Sequence, residues 1–344
     1  MTRLERSYRR LMLAYPAAYR RRHASEIVTT LLEMSPPARR RPPAGDAWHL
    51  IRAGLRQRFR LPARRPLAWA GALLVTLVLG AFGAAAGSWA AEQTYAALPS
   101  AAGFAAVSGP VAGGHLDPPA RDRTPHAVTS WWGTADAPGW TPSAARAQLE
   151  RTGWAPTAVR ALPDGAAYGP GERLSPVTRT AFDGTRDGLH VRVFGNTTAG
   201  HSLVEVIMWP EANGSRWPLT AGGALIGLLT GWPLAASLAY RLRRAPAGRA
   251  RLAAGLIGSA LAACAVPALA CYANLGLMVR TAGTGDLPTT VHSAFTAGPF
   301  ETWGWGWMVP QLTVAGLALG LAGAAVARRA GGEEPAAGPA LERG

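Results

Sequence analysis

Four runs of more than twenty residues, 67–91, 218–240, 252–279 and 304–327, pass without one charged side chain. A helix rises about 1.5 Å per residue, so about twenty apolar residues cross a hydrocarbon core about 30 Å thick. In lipid every backbone polar group must be satisfied within the segment, which a helix does and an irregular chain does not. The runs therefore predict four transmembrane helices, and 49% hydrophobic against 16% charged residues over 344 positions agrees with a chain partly in lipid. The first run lies too far from the N-terminus, behind too long a basic region, for a cleaved signal peptide, and reads as a signal anchor.

Charge asymmetry orients the spans. Residues 1–65 hold 16 Arg against Glu5, Glu26, Glu33 and Asp46, and the loop 241–251 holds five Arg and no acid. Residues 92–217 hold 10 Arg against 11 acids, and the loop 280–303 only Arg280 against Asp286 and Glu301. The positive-inside rule then places both termini in the cytoplasm and residues 92–217 outside, as expected for a multi-pass protein of the plasma membrane. The formal net charge of +15 is in this reading mostly topology. Trp303, Trp305 and Trp307 sit at the outer mouth of the fourth span, where amphipathic rings form an interfacial belt; Trp89 and Trp217 take comparable positions.

The spans carry no Asp, Glu, His or Arg, which argues against a proton-coupled carrier, an ion pump or an intramembrane metalloprotease. All 35 basic residues are Arg, so a P-loop, a kinase-type phosphate clamp or a Schiff base cannot be built. Neither HExxH nor GxSxG occurs, and no Cys/His cluster has zinc spacing. These absences predict a chain that is not an enzyme and uses no cofactor or metal. Cys264 and Cys271 lie about two turns apart on one helix and read as small buried hydrophobes. Small residues recur at four-residue spacing: Gly83 and Gly87, then Gly223, Gly227 and Gly231, then Gly316, Gly320 and Ala324. Such stripes permit close helix approach, in a compact bundle or a homo-oligomer, although a Gly- and Ala-rich composition generates many of them.

Residues 92–125 read as a flexible tether, rich in Pro, Gly, Ala and Ser. An extracytoplasmic α+β domain follows over 126–212. Its elements are a strand at 127–132, a helix at 142–152 announced by Thr141 and Pro142, a short strand at 158–162, and a meander at 177–182, 189–194 and 203–209. Alternation of His190 and Arg192 with Leu189, Val191 and Val193 predicts one wet and one dry face. His190 and His201 flank one hairpin and are the pair from which an envelope enzyme would have to be built; two solvent-facing histidines are the simpler reading.

Ahead of the first span, Leu4, Tyr8, Leu11, Met12 and Tyr15 recur at helical spacing, as do Tyr19, Ile27, Val28, Leu31 and Leu32, and then Trp48, Ile51, Leu55 and Phe59. Three short amphipathic helices over 1–65 close into a cytoplasmic module. Its arginines face an anionic inner leaflet at about 1 kcal/mol per basic residue near the surface. Arg20, Arg21 and Arg22, with Tyr19 and Glu26, offer a docking surface for a cytoplasmic regulatory protein. Direct nucleic-acid binding needs the same arginines but lacks a recognition helix and is the weaker account.

The stretch RSYRRLMLAYPAAYRRRHASEIVTTLLE, followed by DAWHLIRAGLRQRFRLP, resembles the N-terminal cytoplasmic module of actinobacterial multi-span membrane proteins and the leader of macrolide-export-type permeases. Tyr15, Pro16, Tyr19, Arg20 and Glu26 keep the pattern, whereas Ala24 and Ser25 replace the usual Gly-Glu of its box. Such proteins are often encoded beside PadR-type repressors, so the resemblance implies a regulatory setting. The expectation is an α-helical integral membrane protein, with four transmembrane helices, that couples its outer domain to a cytoplasmic partner as a sensor or regulatory scaffold. The alternative is an accessory or permease-like subunit of an export system. Residues 328–344 read as a disordered cytoplasmic tail.

Overall fold

The computed structural model describes residues 2–36, 39–59, 66–168, 174–198, 201–296 and 307–329. In chain order these residues form helices α1 (Arg3–Leu11), α2 (Ala17–Glu33), α3 (Ala44–Phe59), α4 (Pro66–Glu92) and α5 (Ala101–Ala112), then strands β1 (His115–Leu116), β2 (Ala120–Asp122) and β3 (Ser130–Asp136). After α6 (Pro142–Arg151) come β4 (Ala155–Pro156), β5 (Arg160–Tyr168), β6 (Leu174–Arg186), β7 (Leu189–Thr198) and β8 (His201–Pro210), and the long helices α7 (Arg216–Arg244), α8 (Ala247–Arg280) and α9 (Met308–Arg329) close the chain. Helices α4, α7, α8 and α9 are long and apolar enough to cross a membrane. Two compact units emerge, one built on Met1–Gly80, Gly227–Cys264 and the chain from Ala315, the other on Ala81–Ile226 and Ala265–Val314.

In the first unit, α1 starts where the Thr2 hydroxyl accepts the Glu5 N–H, and Pro16 ends the following 3-10 turn Met12–Ala14 and admits α2. Leu4, Tyr8, Met12, Tyr15 and Val28 are buried together, with Tyr19, Ile27, Leu31, Leu32 and Leu50 against them. The expected stripe of α3 is not what packs: Trp48 is 63% exposed, and the helix instead presents Leu50 and Gly54. A methyl at Gly54 would stand 2.8 Å from Ala14 Cβ, so the missing side chain lets α3 lie on the Met12–Ala14 turn. Farther along this unit α4 and α7 meet at glycines. A methyl at Gly227 would fall on the Leu79 carbonyl, and one at Gly231 would stand 2.7 Å from Thr76 Cα. On α9, a methyl at Gly316 would strike Cys264 Sγ and one at Gly323 would stand 2.8 Å from Ile257. At Gly320 it would meet Ala260 Cβ at an ordinary 3.7 Å. The close position near the end of the stripe is thus Gly323, one residue before the Ala324 that the four-residue spacing picks out.

The second unit holds one antiparallel sheet ordered β1-β3-β8-β7-β6-β4, with β2 also on β3 and β5 also on β6. One face buries Val191, Val193, Val204, Val206, Met208 and Phe182 beneath α5 and α6. Three strand glycines make room for the cover: Gly133 lies under Phe104, Gly184 under Leu149 and Gly195 under the Trp140 ring. In the same unit Gly223 of α7 lies against Gly83, and Gly87 lies against Leu219.

The expected tether over 92–125 is corrected here. Ser100 accepts the Gly103 N–H, α5 runs to a left-handed Gly113, and Phe104 is fully buried in the sheet core. Pro110 stands in the last turn, where its lost N–H removes one bond and does not break the helix. The outer strands are also longer than alternation predicts, and the first begins at Ser130, not at 127. The tail over 330–344 lies outside the described residues, as do Trp303 and Trp305; Trp307 is 68% exposed.

Candidate functional site

The sheet's second face was expected to be wet; it carries a half-buried charge cluster instead. A two-residue turn at Asp187 and Gly188, both with positive φ, joins β6 to β7 and sets a register in which Asp183 faces Arg192 and Thr185 faces His190. Asp183 accepts from the Arg192 Nε–H and pairs with Arg160 at 3.0 Å and with His190 Nε2 at 3.2 Å. The His190 ring stacks on Trp209, its partner across β7 and β8, at 4.4 Å between centroids, and its Nδ1 lies 3.4 Å from Glu211. Arg192 then reaches out of the sheet: Nη1 donates to Asp286 at 2.8 Å and Nη2 to the Gly285 carbonyl at 3.0 Å.

Burial alone would push the Asp183 carboxyl up. The hydrogen bonds from His190 and Arg192, with the charges of Arg192 and Arg160, outweigh burial and hold its pKa below the ordinary value. Arg192 is raised by the same balance: burial disfavours its charge, and Asp183 and Asp286 more than restore it. The Arg192 hydrogen bond holds Asp286 low against its own partial burial. Glu205, on the same face of β8, has burial without such compensation, and its pKa is raised.

A second polar group closes the end of α4. Ser88 and Glu92, one turn apart, both meet His292: Ser88 Oγ at 3.3 Å from Nδ1 and Glu92 at 2.6 Å from Nε2. Arg123 pairs with the same Glu92 carboxylate. The order hydroxyl, imidazole, carboxylate is that of a hydrolytic triad, but the environment is not. Ser88 is 3% exposed and its oxygen accepts the Val291 N–H at 2.9 Å, so it is engaged as a structural acceptor with no open approach for an acyl carbon. Asn274 of α8 donates to Pro125 O at 2.6 Å and Thr290 O at 3.1 Å, Arg216 donates to Thr289 O, and Ala127 bridges Thr289 in antiparallel fashion. Residues 285–293 are thereby held by the sheet, by the end of α4 and by α8.

The histidine pair of the hairpin does not assemble. His190 is buried near the β6 turn, whereas His201 faces Thr198 at the other end of β7 and β8 and is exposed. Among the described residues no group of three or more His, Cys, Asp or Glu side chains is placed to hold a metal ion. In the first unit, Arg21 and Arg22 are exposed, Arg20 donates to Leu13 O at 3.4 Å, and Glu26 faces His23 at 3.7 Å. Tyr19 stacks on Tyr15 at 5.2 Å and belongs to the core as much as to the surface. Sequence reading missed Ser88, Glu92, Arg123, His292, Asp183 and Asp286. Only the four-residue spacing of Ser88 and Glu92 at the end of an apolar run was visible beforehand. Compared with protein-family models, with curated proteins and with solved structures, the chain matches none.

Proposed function

We propose that this is a non-enzymatic, multi-pass protein of the plasma membrane, a sensor or regulatory scaffold with both termini in the cytoplasm. In this reading the sheet region lies outside, and the three-helix module carries its state to a cytoplasmic partner. One observation carries the proposal: Arg192, anchored in the sheet by Asp183, also grips Asp286 and Gly285 in the segment that leaves α8. A ligand that shifts the sheet then has a direct mechanical hold on the ends of the long helices, as a two-state coupling requires. Arginine asymmetry supports the orientation.

The test is hydrogen exchange of the full chain in lipid nanodiscs, comparing wild type with Arg192→Gln and Asp286→Asn. Coupling predicts changed protection in residues 3–33 although the substitutions lie in the sheet region. Unchanged protection there, together with an unchanged partner set after deletion of residues 1–60, would defeat the reading. A reporter fused after Arg343 checks the orientation independently.

A further inference from the structure

A cavity of about 470 Å³ opens in the N-terminal module between the start of α1 and the end of α2. Its size is in the range of small-ligand sites. Arg3, Arg39 and Arg40 line it, and no acidic side chain does. Among the described residues none of the three guanidiniums has an ion-pair partner, and Glu5, the nearest acid in sequence, is taken by Arg9 at 2.9 Å. All three are exposed to solvent, so a bound anion reaches their guanidiniums without any charge having to be buried first.

Two further features select the anion. The Thr2 hydroxyl caps the Glu5 N–H and leaves the first amides of α1, those of Arg3 and Leu4, for an incoming acceptor at the positive end of the helix. Leu4 and Leu32 supply an apolar wall, and Ser35 is not a free donor, since its hydroxyl is given to Leu31 O at 2.6 Å. Guanidinium forks and helix amides suit tetrahedral oxyanions, and the leucines suit an uncharged attachment. We infer that this cavity binds a phosphate ester. The source is either an anionic phospholipid headgroup or a free phosphorylated molecule, and the two share this chemistry. The site is distinct from the Arg20, Arg21 and Arg22 surface and does not depend on the coupling proposed above.

The experiment uses the full chain with two probes. One arm titrates inorganic phosphate into protein in an uncharged maltoside detergent; the other compares nanodiscs of phosphatidylcholine with and without phosphatidylglycerol. The triple variant Arg3→Gln, Arg39→Gln, Arg40→Gln is set against a charge-matched control, Arg20→Gln, Arg21→Gln, Arg22→Gln. Saturable binding weakened at least tenfold in the first variant and less than threefold in the control supports the site, at about tenfold for each 1.4 kcal/mol of lost charge-assisted bonding. Binding in the phosphate arm identifies a free ligand, and binding confined to phosphatidylglycerol identifies a lipid. Equal losses in both variants, or no saturable binding in either arm, overturn the proposal. Should the triple variant melt early without ligand, the single Arg39→Gln change, at an exposed loop position, reads the same outcome.

Discussion

Replacing Gly231 by Ala tests a close, backbone-to-backbone helix approach in the first unit. The added methyl would lie 2.7 Å from Thr76 Cα and 3.3 Å from Val75 O, whereas ordinary contact begins at 3.4 Å. The difference, 3.4 minus 2.7, requires a backbone to move by about 0.7 Å, and both partners are main chain, so no rotamer change relieves it. Overpacking of this kind costs about 1–3 kcal/mol, against a gain of up to about 1 kcal/mol because Ala is the better helix former. The expected net loss is about 1–2 kcal/mol. Gly320→Ala makes the same chemical change where the neighbour stands at 3.7 Å, and Gly258→Ala makes it where nothing stands within 4 Å, so both are expected neutral or stabilising. Tryptophan-fluorescence melting in one detergent should separate Gly231→Ala from Gly320→Ala by about 5 °C, taking about 2–4 °C per kcal/mol for a domain of this size. Melting points within about 1 °C of each other would mean that α4 and α7 do not approach as described, and the close-packing argument would fail.

Asp183→Asn should destabilise the sheet region by about 3 kcal/mol at neutral pH, because it removes the charge of a buried carboxylate that answers two arginines and His190. Since the folded pKa of Asp183 is depressed, its contribution is present above the unfolded value of about 3.9 and is lost as pH falls through the folded value. Melting curves of wild type and variant should therefore differ constantly from pH 8 to about 5 and converge below about 4. Glu205→Gln should act oppositely. Burial raises that carboxyl, so the wild type is penalised as pH rises through its folded pKa, and the variant should melt higher at pH 7 and lose its advantage in acid. Phe104→Ala should cost about 3–5 kcal/mol and expose residues 101–112 to elastase, which cuts after small residues such as the alanines of this segment; a wild-type chain cut there as readily as the variant would contradict an ordered α5. Ser88→Ala should cost about 1–3 kcal/mol of stability through the orphaned Val291 N–H and His292, read as a lower melting temperature, with the exchange pattern altered near residue 290.

Local signals carried much of the architecture. Unbroken apolar runs marked α4, α7, α8 and α9, Thr141 with Pro142 announced α6, and period-two alternation found the β6 to β8 meander. Signals that depend on tertiary partners were opaque. The segment 101–112 has the small residues and proline of a linker, and it is helical because Ser100 caps it and Phe104 finds a glycine, Gly133, to lie upon. Alternation at His190 and Arg192 separated two faces of a strand but said nothing of what would cover the polar one, which comes from Asp286, 94 residues away. Ser88 and His292 are 204 residues apart, and no spacing rule spans that distance. The glycine stripes were readable as candidates; which members are close was decided by geometry, with Gly323 tight and Gly320 loose.

The antiparallel bridge between Ala127 and Thr289 carries a consequence for biosynthesis. Strands β3 to β8 leave the ribosome long before residue 285, so until α8 has been made in full Arg192 is held by Asp183 without Asp286, and Glu92 by Arg123 without His292. During that interval the nascent chain exposes a charged, edge-rich intermediate to quality control, and slow translation through α8 should prolong its vulnerability to proteases.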